Sequence, residues 1–350
     1  MEIRSSVALR VTAIVLGVII ALQFLWIARS IFIVTFLGIL LGLTMERAVD
    51  SLEKLRIPRG AGAAITLAAL LGVLIGIFTL IGPSIREQSR ELTRELPKAM
   101  LEVEGWVNQT PMKTLVAPDS QQKQGGLTDR VSRELRDATK FLFPIVSSFF
   151  GAAGGIVIVL FIAMYVAAAP GLYRDGIVHL VPHKHRHRAK ELLDTLRDTL
   201  RQWLLARLIA MVLIGLITGA GLAALGVKGA AALGVLAGLL EFVPFFGPIA
   251  SAVPAIGVAL VDSPQKALYV IVLYLIIQQL EGNVITPLLL KRRLDIPPVL
   301  TVVSVAALGI VFGVLGMLIA EPLLAAVLVT TKMLYVEDVV GDEVQIGKEK

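Results

Sequence analysis

The 350-residue chain contains no cysteine. That excludes disulfides, thiolate metal centres and cysteine nucleophiles. Aromatic residues make up only 6% and charged residues 17% of the chain, where an ordinary soluble domain is about a quarter charged. No Walker phosphate loop, dinucleotide fingerprint, HExxH pair or Ser/His/Asp set stands in a fitting context, so the chain offers no equipment for ATP hydrolysis or cofactor chemistry. The expectation is a protein without cofactor or catalytic site, and not an enzyme.

What is present is apolar. Hydrophobic residues make up 56% of the chain and the mean hydropathy is +0.81. The apolar residues fall into long blocks, and 31 glycines lie among them. Small residues let membrane helices approach closely. The class implied is all-α and polytopic, with about six full transmembrane helices plus two re-entrant hairpins, or eight apolar blocks by simple count. The net charge of +6 sits mostly in loops. It reads as an orientation signal toward the lipid bilayer and not as a nucleic-acid surface.

Apolar blocks at 11–27 and 31–45 read as two successive spans, the first an uncleaved helix. The loop 46–59 carries Arg47, Lys54, Arg56 and Arg59, so it and both termini are expected in the cytoplasm of a bacterial inner-membrane protein. A third span at 61–82 completes an N-terminal three-helix region, 1–82. Residues 83–143 read as an extracytoplasmic insert of two amphipathic helices around a polar linker. Leu92, Leu96, Ala99, Val103 and Val107 lie on one stripe of the first helix. The segment 144–203 supplies a fourth span and a basic stretch with Arg174, Lys184, Arg186, Arg188, Lys190, Arg197 and Arg201. Leu192, Leu193, Leu196, Leu200 and Trp203 give that stretch an apolar stripe. It reads as an interfacial helix leading into a fifth span near 204–225. His183, His185 and His187 stand among cations, which argues for a solvated basic face touching anionic lipid rather than a metal site.

The most informative run is LLEFVPFFGPIASAVPAIGVAL, 239–260. Pro244, Gly247, Pro248 and Pro254 interrupt an otherwise membrane-length segment, and each proline removes a backbone donor. In lipid the freed groups need partners inside the protein or a water-lined cavity. The run also carries Glu241. An acid at membrane depth suggests a functional site, and broken helices beside such a group are how secondary transporters build binding sites. One reading makes Glu241 a proton or cation site. The other has its carboxyl tie down the bend at Pro244–Pro248.

The block 299–332 is long enough for about 50 Å of helix, well beyond a hydrocarbon core of about 30 Å. A hairpin bent between Gly313 and Gly316 uses that length. Hairpins at 229–261 and 299–331 also place Lys291, Arg292 and Arg293 on the cytoplasmic side, whereas plain spans place them outside. The expected transport core is 204–335, followed by a polar cytoplasmic tail, 336–350. Ala232–Gly238 and Ala307–Gly313 form a faint repeat. Glu281 and Asn283, with Gln278 and Gln279, read more as a helix end at the interface than as a pathway. Glu321, before Pro322, is a second intramembrane acid and a candidate partner of Glu241. Arg207 could pair with an acid, but reads more as a cation reaching the cytoplasmic headgroups.

Several of these elements occur together in one order. They are Glu241-Phe-Val-Pro244-Phe-Phe-Gly247-Pro248, then Gln279-Leu-Glu281-Gly-Asn283-Val-Ile-Thr-Pro287, then 297–300, then Gly309, Gly313 and Gly316 followed by Pro322. The combination resembles the autoinducer-2 exporter family, also called PerM-type permeases. The resemblance covers essentially the whole chain. It is strongest after residue 180, and the early spans and the insert are similar only in layout. It implies an integral-membrane exporter or ion-coupled antiporter that is homo-oligomeric. The function expected is secondary transport of a small polar solute, coupled to a proton or monovalent cation. The alternative is a membrane scaffold whose insert and basic surface bind partner proteins.

Overall fold

A computed structural model of the chain describes residues 2–77, 79, 82–83, 153–290 and 296–342. The insert 83–143, all but its first residue, lies outside the described residues, as do the start of the fourth span, the triplet 291–293 and the tail beyond 342. All regular structure among the described residues is helical. Among the described residues five helices are long and apolar enough to cross a bilayer, or six if one bent pair counts as a span. The protein is an all-α, multi-pass membrane protein.

The first helix, α1, runs without interruption over Glu2–Lys54. The expectation of two spans separated near residue 28 is corrected here. Arg29, which reads as a break in the apolar sequence, lies over the Trp26 ring at 4.0 Å. That cation–π contact lets a charge sit within continuous helix. A helix of 53 residues is about 80 Å long and cannot turn its N-terminus back to the side it left. The inference that the N-terminus shares a side with residues 46–59 therefore loses its basis. After a turn in which Arg56 takes φ +63°, α2 covers Arg59–Ile77.

Helix α3, Ala153–Ala168, packs along α1. Side chains added to Gly38 and Gly42 would meet Ile162 Cβ at 2.6 Å and Val166 Cβ at 2.8 Å. This glycine pair at i,i+4 spacing brings the two helices together as small-residue pairs do in membranes. At Ala169 the chain bends by 85° into α4, Pro170–His179. Pro170 starts this short helix, where a missing amide costs nothing. The helix turned sharply away from the span before it is thus α4. The basic stretch 173–207, expected as an interfacial helix leading into the fifth span, is from Arg186 onward one with that span. Together they form α5, Arg186–Ala224, 39 residues without a break.

Helix α6, Ala230–Leu240, follows a left-handed Gly229. It lies backbone to backbone against α5. A Cβ on Gly234 would stand 2.5 Å from Gly219 Cα and 2.7 Å from the Gly215 carbonyl oxygen. After residues 241–245 the chain enters α7, Phe246–Asp262. Phe245 takes φ +63° at that reversal. A Cβ on Gly247 would overlap the Leu240 carbonyl, so only glycine allows α7 to fold back this tightly on α6. Ser263 caps α8, Pro264–Leu280, by accepting from Lys266 N–H at 3.2 Å. A π-helical turn, Glu281–Ile285, leads to α9, Thr286–Leu290.

The last long helix, α10, spans Pro298–Thr331 but breaks at Gly313, where φ is +65° and ψ −147°. A Cβ on Gly316 would overlap the Leu308 carbonyl. Residues eight apart in straight helix are about 12 Å apart, so the chain doubles back here. Among the described residues, the last third therefore holds two reversals made tight by glycine, at 241–247 and at 313–316. Their flanks share one apolar cluster. Val243 packs with Val305 and Ala320, and Phe242, Phe246, Leu308, Met317 and Leu318 surround them.

Candidate functional site

The first reversal carries Glu241 on its inner side, at the C-terminal end of α6. Its side chain is fully buried. The Arg207 guanidinium, on α5, stands with Nη2 3.1 Å from Glu241 Oε1 and Nη1 3.9 Å from Glu281 Oε1. Arg207 Nε also donates to the Phe242 carbonyl at 3.2 Å, which is one of the carbonyls freed where α6 ends. Only 10% of the Arg207 side chain is exposed. Arg207 does not reach toward headgroups, and the snorkelling expectation is corrected. A buried acid at the reversal provided a nearer and stronger partner than lipid phosphate.

Glu281 opens the π-helical turn and is buried. Gln278 Nε2 donates to its Oε2 at 3.4 Å. The extra residue of a π turn re-aims the side chain relative to α8, and here Glu281 faces the interior. The expectation of an interfacial Glu281 is corrected. Asn283 remains exposed and donates to the Gln279 carbonyl at 2.9 Å, so it stays local to its helix. Glu321, on the returning half of α10, interacts electrostatically with Arg207 and Glu281, and the Trp203 side chain adjoins it. Trp203 in turn packs edge-on against Phe242, with ring centres 5.9 Å apart.

Three carboxyls from three segments therefore surround one guanidinium from a fourth. Pro244 and Pro248 are half-buried and Gly247 is buried at the first reversal; Gly313 is exposed and Gly316 buried at the second. These five shape the backbone and bring no charge to the cluster. Neither oxygen of Glu241 accepts a hydrogen bond, and Glu321 Oε2 and Arg207 Nη2 are also buried without one. Arg207 and Glu241 are at ion-pair distance yet misaligned for a hydrogen bond. Fully ionised, the cluster carries two negative charges beyond what Arg207 neutralises, a costly state at low dielectric. Among the described residues no group of three acid or imidazole side chains is placed to hold a metal ion.

A second ionic assembly lies at the far end of α1. Glu46, only 2% exposed, accepts from Arg197 Nε at 2.9 Å and from Arg197 Nη2. Arg59 lies 3.9 Å from Glu46, 3.0 Å from Asp50 and 2.7 Å from Glu53. Further along α5, Arg188 reaches Glu337 at 2.6 Å, Asp338 at 2.8 Å and the Met333 carbonyl at 2.7 Å. These bonds tie the start of α5 to the π-helical segment Lys332–Val340 that ends the last helix. Sequence reading missed both assemblies, because the Arg188–Met333 and Arg197–Glu46 links that tie them together span 145 and 151 positions. The only local signal was the density of basic residues.

Comparison with known proteins gives the same direction as the fold. The Bacillus subtilis protein YueF is 28% identical over 186 residues, 52% of this chain and 50% of its own. The Bacillus subtilis protein YrrI is 27% identical over 207 residues, 56% of this chain and 58% of its own. The AI-2 transport protein TqsA of Escherichia coli is 34% identical over 113 residues, 32% of this chain and 33% of its own. The chain thus spans about half the length of the first two relatives and a third of TqsA. The model of the AI-2E family transporters matches residues 14–335, a range that contains Arg207, Glu241, Glu281, Glu321 and both reversals. The chain belongs to the AI-2E transporter family.

Proposed function

We propose that the protein is a secondary transporter of a small polar solute, with Glu241 as the group that couples movement to a proton or monovalent cation. The observation that carries this reading is the fully buried Glu241, charge-paired with Arg207 at a chain reversal. Backbone that breaks inside an apolar core, next to an ionisable cluster, is the arrangement transporters use to bind at the bilayer midplane. Segments 229–261 and 299–331 act as re-entrant hairpins, and 204–335 as the transport core. Neutralising Glu241 with a proton or cation weakens its hold on Arg207, which lets the hairpins move against α5. Access then alternates between the two faces.

The side bearing Arg59, Arg188 and Arg197 is cytoplasmic by the positive-inside rule. The contact of Asp338 with Arg188 supports the C-terminal segment lying on that same side. Autoinducer-2, the cargo in the name of TqsA, is one solute to try among small polar signals and monovalent cations. The active unit is a homo-oligomer in the bilayer. Purified protein in proteoliposomes tests the reading. Solute flux should follow an imposed proton or cation gradient, and Glu241→Gln should abolish the dependence. Unchanged flux with unchanged gradient dependence in Glu241→Gln would sink the coupling role.

A further inference from the structure

We propose that Arg207 is a tethered counter-cation, which fills the acidic cluster when no soluble cation is there and competes with a monovalent cation for the same carboxylates. The proposal rests on the transporter reading and deepens it by naming what the site binds and what holds it closed. Four observations carry it. Glu241, Glu281 and Glu321 come from three separate segments, so their meeting is a product of the fold and not of local sequence. Both oxygens of the fully buried Glu241 and Oε2 of Glu321 are buried with no hydrogen-bond donor. Oxygens without donors, withdrawn from water, are the kind of ligand that hard cations take. Arg207 Nη2 stands 3.1 Å from Glu241 Oε1 and its Nη1 3.9 Å from Glu281 Oε1, and that Nη2 makes no hydrogen bond. Its hold on the acids is therefore one of charge, which a soluble cation in the same place can replace.

The arginine also has an anchor apart from the acids. Its Nε donates to the Phe242 carbonyl at 3.2 Å, so it can leave the carboxylates and stay at the reversal. Among the described residues no three acids stand close enough to hold a metal ion as they are, so binding requires the carboxyls to close in as the guanidinium withdraws. Moving it away leaves three electrostatically coupled carboxyls without their cation. Arg207 and a soluble cation thus stabilise the same acids in turn, and occupancy by one opposes occupancy by the other. Such opposition is a coupling free energy between two ligands, one of them part of the chain.

The test is cation binding, measured without transport. Thermal unfolding of detergent-purified protein is followed against NaCl, LiCl and KCl, with choline chloride holding ionic strength constant. The wild type should need high cation concentrations for a shift in Tm. Arg207→Gln should respond to at least one of the three metal cations at a midpoint about tenfold lower, within the usual range for linked sites. Arg207→Gln combined with Glu241→Gln should lose that response. Arg207→Lys keeps the charge but not the fork that serves two partners at once, so its midpoint should fall between. If Arg207→Gln does not fold, Arg207→Lys decides: a midpoint lowered by about threefold supports competition, and an unchanged one overturns it. A tightened response that survives Glu241→Gln also overturns it, by placing the cation elsewhere. Loss of coupled flux in Glu241→Gln with equal cation midpoints in wild type and both Arg207 variants would leave the transporter reading standing and remove this one.

Discussion

A Cβ on Gly316 would overlap the carbonyl oxygen of Leu308, eight positions earlier in the chain. The obstacle is backbone, which cannot swing aside as a side chain can. Gly316→Ala should therefore force the two halves of the last helix apart. Overpacking typically costs about 1–3 kcal/mol and more where backbone must move. The expected result is a lower Tm in detergent and a broadened elution profile. Gly72→Ala is the control: a Cβ there meets nothing within 4 Å. In mid-helix it should be neutral or stabilising, by up to about 1 kcal/mol.

The same logic applies between α5 and α6. Gly238 would place a Cβ 2.5 Å from the Met211 carbonyl, and Gly234 one 2.5 Å from Gly219 Cα. Gly234→Leu should separate the helices and drag Glu241 away from Arg207, because Glu241 caps α6. Folding should weaken and gradient-driven flux should fall together. Retained flux in a protein with a clearly lowered Tm would show that the ion pair tolerates the shift.

Glu46 joins α1 to α5 and α2 through Arg197 and Arg59. Glu46→Gln leaves two guanidinium groups facing a neutral amide. Both arginine side chains are about a third exposed, at 32% and 30%, so water offsets much of the loss. The cost should be about 1–2 kcal/mol, below the 3–5 kcal/mol of a fully buried pair. Thermal unfolding reads this directly. A double-mutant cycle with Arg197→Gln should show coupling between the two positions.

Arg188 holds the segment 332–340 by three acceptors. Arg188→Ala should speed hydrogen exchange and limited proteolysis in that segment and leave 230–262 unaffected. High salt should act in the same direction on the wild type. The Debye length shrinks from about 10 Å at 0.1 M to about 3 Å at 1 M, and these groups are partly exposed. Equal exchange in wild type and variant would show that helix packing alone secures the segment.

How far the sequence carried these conclusions varied with the range of the interactions. Helical class followed from apolar block length, and both reversals sit at glycines and prolines that mark breaks in those blocks. Glu241 stood out because an acid in an apolar run has few inexpensive explanations. Glu281 was harder to place. Its polar neighbours Gln278, Gln279 and Asn283 describe a helix end, and only the π turn aims its carboxyl inward. Arg207 was misjudged for a related reason. A cation near the start of an apolar run looks the same whether it reaches for lipid or for an acid 34 positions later. The continuity of α1 was hidden by Arg29, whose charge is accommodated by one aromatic ring a single turn away.

The unbroken course of α5 has a mechanical consequence. Arg188 and Arg207 sit on the same rod, 19 residues or about 28 Å apart along its axis. No glycine-rich hinge or proline interrupts the path between them. A straight helix resists compression, so axial displacement at one end arrives at the other nearly undiminished. The C-terminal segment that grips Arg188 therefore acts on a lever whose far arm carries the guanidinium beside Glu241.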